Sequence, residues 1–273
     1  MRTFSVLSTL LVLASAHMQL HYPAPFNSSN NPHLGDCNAD PYLQYPYDCC
    51  GPNDRWTYPC RGYMSLLGTP QGAPTATWQA GSTQAWSIGG IGNHYGGSCQ
   101  VGFSVDKGQT FQVATTYEGN CPHRNLGSDP SGQTFPFTVP ADLPPGTQVF
   151  AWIWYNREQE LNMNCAAVDI TPAAAANPPG GEGGGYHGSP AARAVSSSSS
   201  GSGAVGYYDR PEMLVADDGN GCLTPHTTAE LKYPAPGPEV VVGDGAYPLQ
   251  LPYGTCGRVG EQAYRGQTGE DGH

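Results

Sequence analysis

Thr147-Gln148-Val149-Phe150-Ala151-Trp152-Ile153-Trp154-Tyr155 is apolar at every position from 149 onward. In an extended chain Val149, Ala151, Ile153 and Tyr155 fall on one face, and Phe150, Trp152 and Trp154 on the other. A strand apolar on both faces is buried on both. Other short apolar or alternating runs surround it, at 18–22, 83–88, 99–105, 111–117, 133–139 and 161–170. Gly, Pro and Asn separate them.

This pattern predicts an all-β fold, an immunoglobulin- or fibronectin-like sandwich of antiparallel strands with long loops. Composition agrees. Of 273 residues, 37 are Gly and 26 are Pro, about twice the usual combined share. That load excludes a helical bundle or coiled coil, because both residues are poor inside helices. Gly does not recur every third residue, so collagen is excluded. With a formal net charge of −11 and no basic stripe, neither a nucleic acid nor a membrane is an expected partner.

Residues 1–16 read as a secretory signal peptide. Arg2 supplies the charge, Leu7 to Ala14 the short apolar run, and Ala14-Ser15-Ala16 the small-residue cleavage site. No run reaches the length of a membrane span. The expected product is secreted, extracellular and monomeric. Cleavage after Ala16 makes His17 the first residue. A terminal His offers an α-amino and an imidazole nitrogen from one residue, a donor pair that suits copper, zinc or nickel.

The predicted organisation is a folded domain at 17–171, a Gly/Ser/Pro/Ala-rich linker at 172–206, and a small, poorly structured extension at 207–273. The extension has three possible forms: a disulfide-held module, a strip docked on the main domain, or mostly disordered chain. Cys222 and Cys256 are placed to close a loop within it. The other seven of nine cysteines lie upstream and fit structural disulfides of an oxidising compartment, except that seven is odd, so one thiol is left free or pairs outside the group. Asn27 heads a glycosylation sequon, expected on an exposed loop. Tyr42, Tyr45, Tyr47, Trp56 and Tyr58 crowd a cysteine-rich loop. They are either a local core or, through Tyr45 and Trp56, rings that stack on sugars.

Phosphate loops, the dinucleotide glycine fingerprint, zinc-protease helices and nucleophile elbows are all absent from the sequence. The positive feature is His94, in Gly92-Asn93-His94-Tyr95-Gly96-Gly97-Ser98-Cys99, a Gly-rich turn before a cysteine-anchored strand. Joined to the His17 amine and imidazole, it makes a three-nitrogen set suited to Cu(II). Tyr95, its neighbour, is a candidate for the substrate face.

These pieces resemble a fungal lytic polysaccharide monooxygenase, and are most similar to the chitin-active auxiliary-activity family eleven. The likeness rests on His17-Met18-Gln19-Leu20, Pro23 to Phe26, His94 to Cys99 and Glu118 to Pro122. It rests also on Trp152 to Arg157 with Met163-Asn164-Cys165-Ala166. The resemblance implies one copper ion, cycling between Cu(II) and Cu(I), held by a brace of His17 and His94. An external electron donor and an insoluble polysaccharide, chitin before cellulose, are the implied partners. Glu160 matches the acidic residue beside copper. Cys99–Cys121 and Cys60–Cys165 match the family's disulfides. The family's axial Tyr, two residues after the acidic one, is here Asn162, once a two-residue gap follows Arg157. That departure motivates an alternative: a non-catalytic copper-binding or cell-wall-associated protein of the same fold. A smaller expectation is that residues 207–273 hold the enzyme near its substrate.

Overall fold

The alternation at 149–155 becomes strand β7 (Gly146–Tyr155), which over 149–155 pairs with a neighbour on each side. A computed structural model describes residues 17–36, 38–49, 55–174, 205–256 and a short strand at 264–265. The expected leader, most of the expected linker, and Cys37 and Cys50 lie outside the described residues.

β7 pairs antiparallel with β4 (Ser98–Ser104) and β8 (Leu161–Thr171). β5 (Gln112–Glu118) and β11 (Val240–Val242) continue the sheet beyond β4, and β2 (Ala76–Gln79) closes it beyond β8. The facing sheet is smaller, in the order β1 (Met18–Tyr22), β3 (Thr83–Gly90), β6 (Thr134–Thr138). The seven strands expected within 17–171 all form, each within two residues of its expected ends. The immunoglobulin-like sandwich is therefore the fold, with one departure from pure antiparallel pairing. β2 runs parallel to β8, and β11 parallel to β5. Both edge strands arrive by long crossing connections, which parallel pairing requires.

The two faces of β7 build two cores. Phe150, Trp152 and Trp154 point between the sheets, among Trp78, Trp86, Phe103, Phe135 and Phe137. Val149, Ala151, Ile153 and Tyr155 point outward. That outer face is not left to water. The loop before β2 covers part of it with Phe26, Tyr47 and Cys60. Met213, Leu214, Ala216, Leu231 and Tyr233, from the C-terminal segment, cover the rest. Burying one Leu- or Met-sized side chain is worth about 1.5–3 kcal/mol, so this contact accounts for the docking.

Of the three forms open to the extension, the structure has the docked strip. Its strands are short: β9 (Cys222–Leu223), β10 (Glu230–Leu231), β12 (Leu249–Gln250), β13 (Tyr253–Cys256) and β14 (Tyr264–Arg265). We call residues 205–256 the strap. The Cys60–Cys165, Cys99–Cys121 and Cys222–Cys256 disulfides form, and Cys49 is disulfide-bonded as well. Asn27 differs from expectation: it lies half-buried in a turn at φ 57°, with Ser28 fully buried beside it.

Candidate metal centre

His17 immediately precedes β1 and is carried by that strand's pairing to β3, with Met18 opposite Gly90. Its carbonyl accepts a hydrogen bond from the Ile91 N–H at 3.0 Å. A Cβ on Gly90 would lie 2.0 Å from that carbonyl oxygen, so only glycine permits the approach.

The chain after β3 turns sharply through His94, Tyr95, Gly96 and Gly97, at φ 46°, 55°, 117° and 121°. Four successive positive values explain the glycines there. A Cβ on Gly97 would come within 2.3 Å of the Tyr155 carbonyl and 2.6 Å of the Trp154 indole nitrogen. Trp154 also donates from Nε1 to the Gly96 carbonyl (3.2 Å), and its ring meets the His94 ring edge-on at 5.6 Å. Asn93 ties the base of the turn to the carbonyls of His123, Arg124 and Gly127, each at 3.1 Å. The Cys99–Cys121 disulfide fastens the strand that follows.

These two approaches bring the His17 and His94 rings edge-on, with centroids 6.2 Å apart and planes at 73°. The third component is the tight connection between β7 and β8. Asn156 caps it, accepting from the Glu160 N–H (2.9 Å) and donating to the Glu160 carboxylate (2.5 Å). The turn thereby presents two carboxylates. Glu158 Oε2 accepts from His94 Nδ1 at 2.7 Å. A ligand atom from each of His94, Glu158 and Glu160 falls within one 4.8 Å cluster.

The carboxylate fixes the tautomer. Glu158 ionised can only accept, so the proton sits on His94 Nδ1 and the lone pair on Nε2. The hydrogen bond from His94 holds the Glu158 carboxyl below its ordinary range. Burial, and then the neighbouring His94, pulls the His17 imidazole below its ordinary value. Asn162 stands on β8 opposite Trp154, 2% exposed. Its amide donates to the Glu160 carbonyl (3.2 Å), while its Oδ1 is buried with no hydrogen-bond partner. Two imidazoles with carboxylates beside them form a mixed nitrogen and oxygen donor set that fits copper.

Other expected residues separate. Tyr45 comes to the site, with its ring 4.0 Å from that of His17. Tyr95 is 62% exposed, on the open side of the His94 turn. Trp56 packs in the loop's own core beneath the Arg61 guanidinium, 4.6 Å away, and its nearest aromatic contact is Tyr42. Glu158 was passed over by sequence reasoning. Its signal was available: it shares a five-residue turn with Glu160, so both carboxylates must lie near one strand end.

No protein-family model matches the chain. A stretch of 216 residues is 34% identical to AA11 family lytic polysaccharide monooxygenase A of Aspergillus fumigatus, over 78% of this chain and 79% of that protein. The chain belongs to the AA11 family of lytic polysaccharide monooxygenases. Membership makes it an enzyme of oxidative polysaccharide cleavage, in a copper-dependent class. The AA11 enzyme of Aspergillus oryzae is 29% identical over 186 residues, and the chain spans 39% of its length. A second AA11 enzyme of Aspergillus fumigatus, also 29% identical, is spanned over 37% of its length. Among solved structures, a lytic polysaccharide monooxygenase of Jonesia denitrificans aligns at a TM-score of 0.36 and 14% identity, covering 57% of this chain and 100% of that one. AA10A of T. fusca aligns at 0.32 and 19%, with the same coverage.

Proposed function

We propose that this AA11 chain is secreted, is processed to begin at His17, and binds one copper ion between His17 and His94 to cleave chitin. The observation that carries this is the edge-on His17–His94 pair, with Glu158 holding the His94 Nδ1 proton. Copper would supply the redox chemistry that activates an oxygen co-substrate, using electrons from an external donor. The rest is the work of the chain.

Removal of residues 1–16 converts the His17 amide nitrogen into an amine, so that one residue offers two donors. Glu158 orients the His94 ring and leaves Nε2 for the metal. Glu160, steadied by Asn156, is a carboxyl group able to hold or deliver a proton beside the same cluster. Asn162, at the position the resemblance gives to a phenol, would offer an amide oxygen instead. Tyr95 and Tyr45 flank the histidines and are the rings we assign to sugar contact. Trp56 we assign to support of the loop.

The test uses mature protein with His17 first, compared with a variant carrying one extra residue before it. The processed form should bind one Cu(II) tightly and, given a reductant, release oxidised oligosaccharides from chitin that mass spectrometry detects. Equal copper affinity in the extended form would overturn the brace. Tight copper binding with no oxidised product from chitin, but product from cellulose or fungal wall glucans, would move the substrate. No product from any of the three would leave a copper-binding protein without this activity.

A further inference from the structure

Besides His17, which β1 carries, two turns supply side chains of the proposed centre: 91–97 with His94, and 156–160 with Glu158 and Glu160. Both rest on the strap.

Glu230, in β10, has a side chain only 1% exposed. Its Oε1 accepts hydrogen bonds from the backbone N–H of Gly97 (3.0 Å) and of Asn120 (2.9 Å), and from Arg124 Nη2 (2.9 Å). The space it occupies exists because two neighbours lack side chains. A Cβ on Gly96 or on Gly119 would lie 2.6 Å from a Glu230 carboxylate oxygen. Arg124 passes the restraint on. Its Nη1 donates to the Tyr95 carbonyl at 2.6 Å, and Asp244 grips it through Nη2 (2.7 Å) and Nε (2.8 Å). The carbonyl on one side of Gly96 and the N–H on the other are thus both held by this network.

The second turn is held from the same direction. Gln159 is fully buried. It donates to the Ala229 carbonyl (3.3 Å) and accepts from the Thr227 N–H (3.2 Å). The Tyr247 ring lies against the guanidinium groups of both Arg157 (3.9 Å) and Arg124 (4.7 Å).

A buried carboxylate is costly unless paired, and replacing an ion pair by apolar groups is often neutral or stabilising. The strap already has its apolar anchors in Met213, Leu214 and Leu231. Docking alone therefore gives no reason for a charge at 230, whereas fixing a strained turn does. We propose that Glu230 is a positioning residue of the metal centre: through Gly97 and Arg124 it fixes the turn that aims His94. The strap thereby completes the copper site with no atom of its own at the metal. This rests on the copper assignment above.

The test compares mature wild type, Glu230→Gln, Asp244→Asn and a control, Tyr207→Phe. Tyr207 is also a buried strap residue, but it bonds the Phe103 carbonyl (2.7 Å) at the far end of β4. Tyr207→Phe should lower Tm and leave Cu(II) affinity and the Cu(II) electron paramagnetic resonance spectrum unchanged. Glu230→Gln, folded by circular dichroism, should lose about tenfold in Cu(II) affinity, the lower end for groups that orient a ligand. Its spectrum should shift, and the amides of 94–98 should exchange faster in the metal-free protein. Asp244→Asn should move all three in the same direction by less, and it decides the matter if Glu230→Gln does not fold. Wild-type affinity, spectrum and amide protection in these variants would overturn the proposal. If wild type binds no copper, the copper assignment fails instead. The amide exchange then judges Glu230, and unchanged protection at 94–98 overturns its role.

Discussion

Replacing Glu158 probes the hydrogen bond that orients His94. The bond is 2.7 Å long and joins a ring N–H to a carboxylate. Hydrogen bonds to charged groups are worth about 1.5–3 kcal/mol. The Glu158 side chain is 52% exposed, so water competes for the carboxylate and the lower half of that range applies, about 1.5 kcal/mol. At 1.4 kcal/mol per factor of ten, losing it should weaken Cu(II) binding roughly tenfold. Glu158→Ala removes both acceptor and charge. Glu158→Gln keeps an amide oxygen to accept the Nδ1 proton. The expected order of affinity is wild type, then Gln, then Ala, measured by calorimetry or chelator competition on protein beginning at His17. The Cu(II) resonance spectrum of the Ala variant should broaden as the ring loses its fixed orientation. If Glu158→Ala binds Cu(II) as tightly as wild type with the same spectrum, the carboxylate does not orient His94 and the argument is wrong.

Further outcomes follow from individual contacts. Gly97→Ala must fit a Cβ 2.3 Å from a carbonyl oxygen at φ 121°; the cost is about 2–4 kcal/mol, seen as a Tm loss on the order of 10 °C. Asn162→Leu removes a buried oxygen with no partner, so metal-free stability should change by less than about 1 kcal/mol, while the Cu(II) spectrum changes. Burial alone would raise the Asp106 pKa, but bonds from Thr110, Ser104 and Gln109 hold it low. Because the folded value lies below the unfolded one, its stabilisation is full above the ordinary Asp pKa of about 3.9 and is lost as pH falls through the folded value. Asp106→Asn should therefore lower Tm at pH 7, with the gap to wild type closing below about pH 4. Removing both Cys222 and Cys256, which are 34 residues apart, should destabilise the strap by at most about 4 kcal/mol, detected by denaturant unfolding.

The sandwich was legible because its strands are long. In β7 and β8 five or more alternations reveal which residues face each core. β2 was missed because four residues between turns are too few to show a period. The strap was legible only as one of three forms, since strands of two to four residues show no period. Its anchoring residues, Met213, Leu214 and Leu231, look unremarkable singly and matter only against the outer face of β7. His17 and His94 were found through chemistry, as nitrogen donors, and the fold then brought them together. Glu230 carried no such signal. A glutamate in polar sequence reads as solvated, and its burial depends on Gly96 and Gly119, more than 100 residues away. The structure also changes how the expected tethering role of 207–273 is tested. Truncation at Pro172 would uncover the apolar outer face, so point substitutions in the strap are the cleaner comparison.

The disulfide of the strap closes on itself, Cys222 to Cys256, and two of those in the sandwich join Cys60 to Cys165 and Cys99 to Cys121, while the remaining Cys37, Cys49 and Cys50 all precede residue 174. A protease cut between 174 and 205 would therefore leave two polypeptides joined by the apolar contact and the Glu230 network. Such fragments form a complementation pair, and thermodynamic linkage governs it. Whatever factor the smaller fragment adds to the copper affinity of the larger, copper must add to the affinity between the fragments. Metal supply would then set how long a nicked enzyme stays whole.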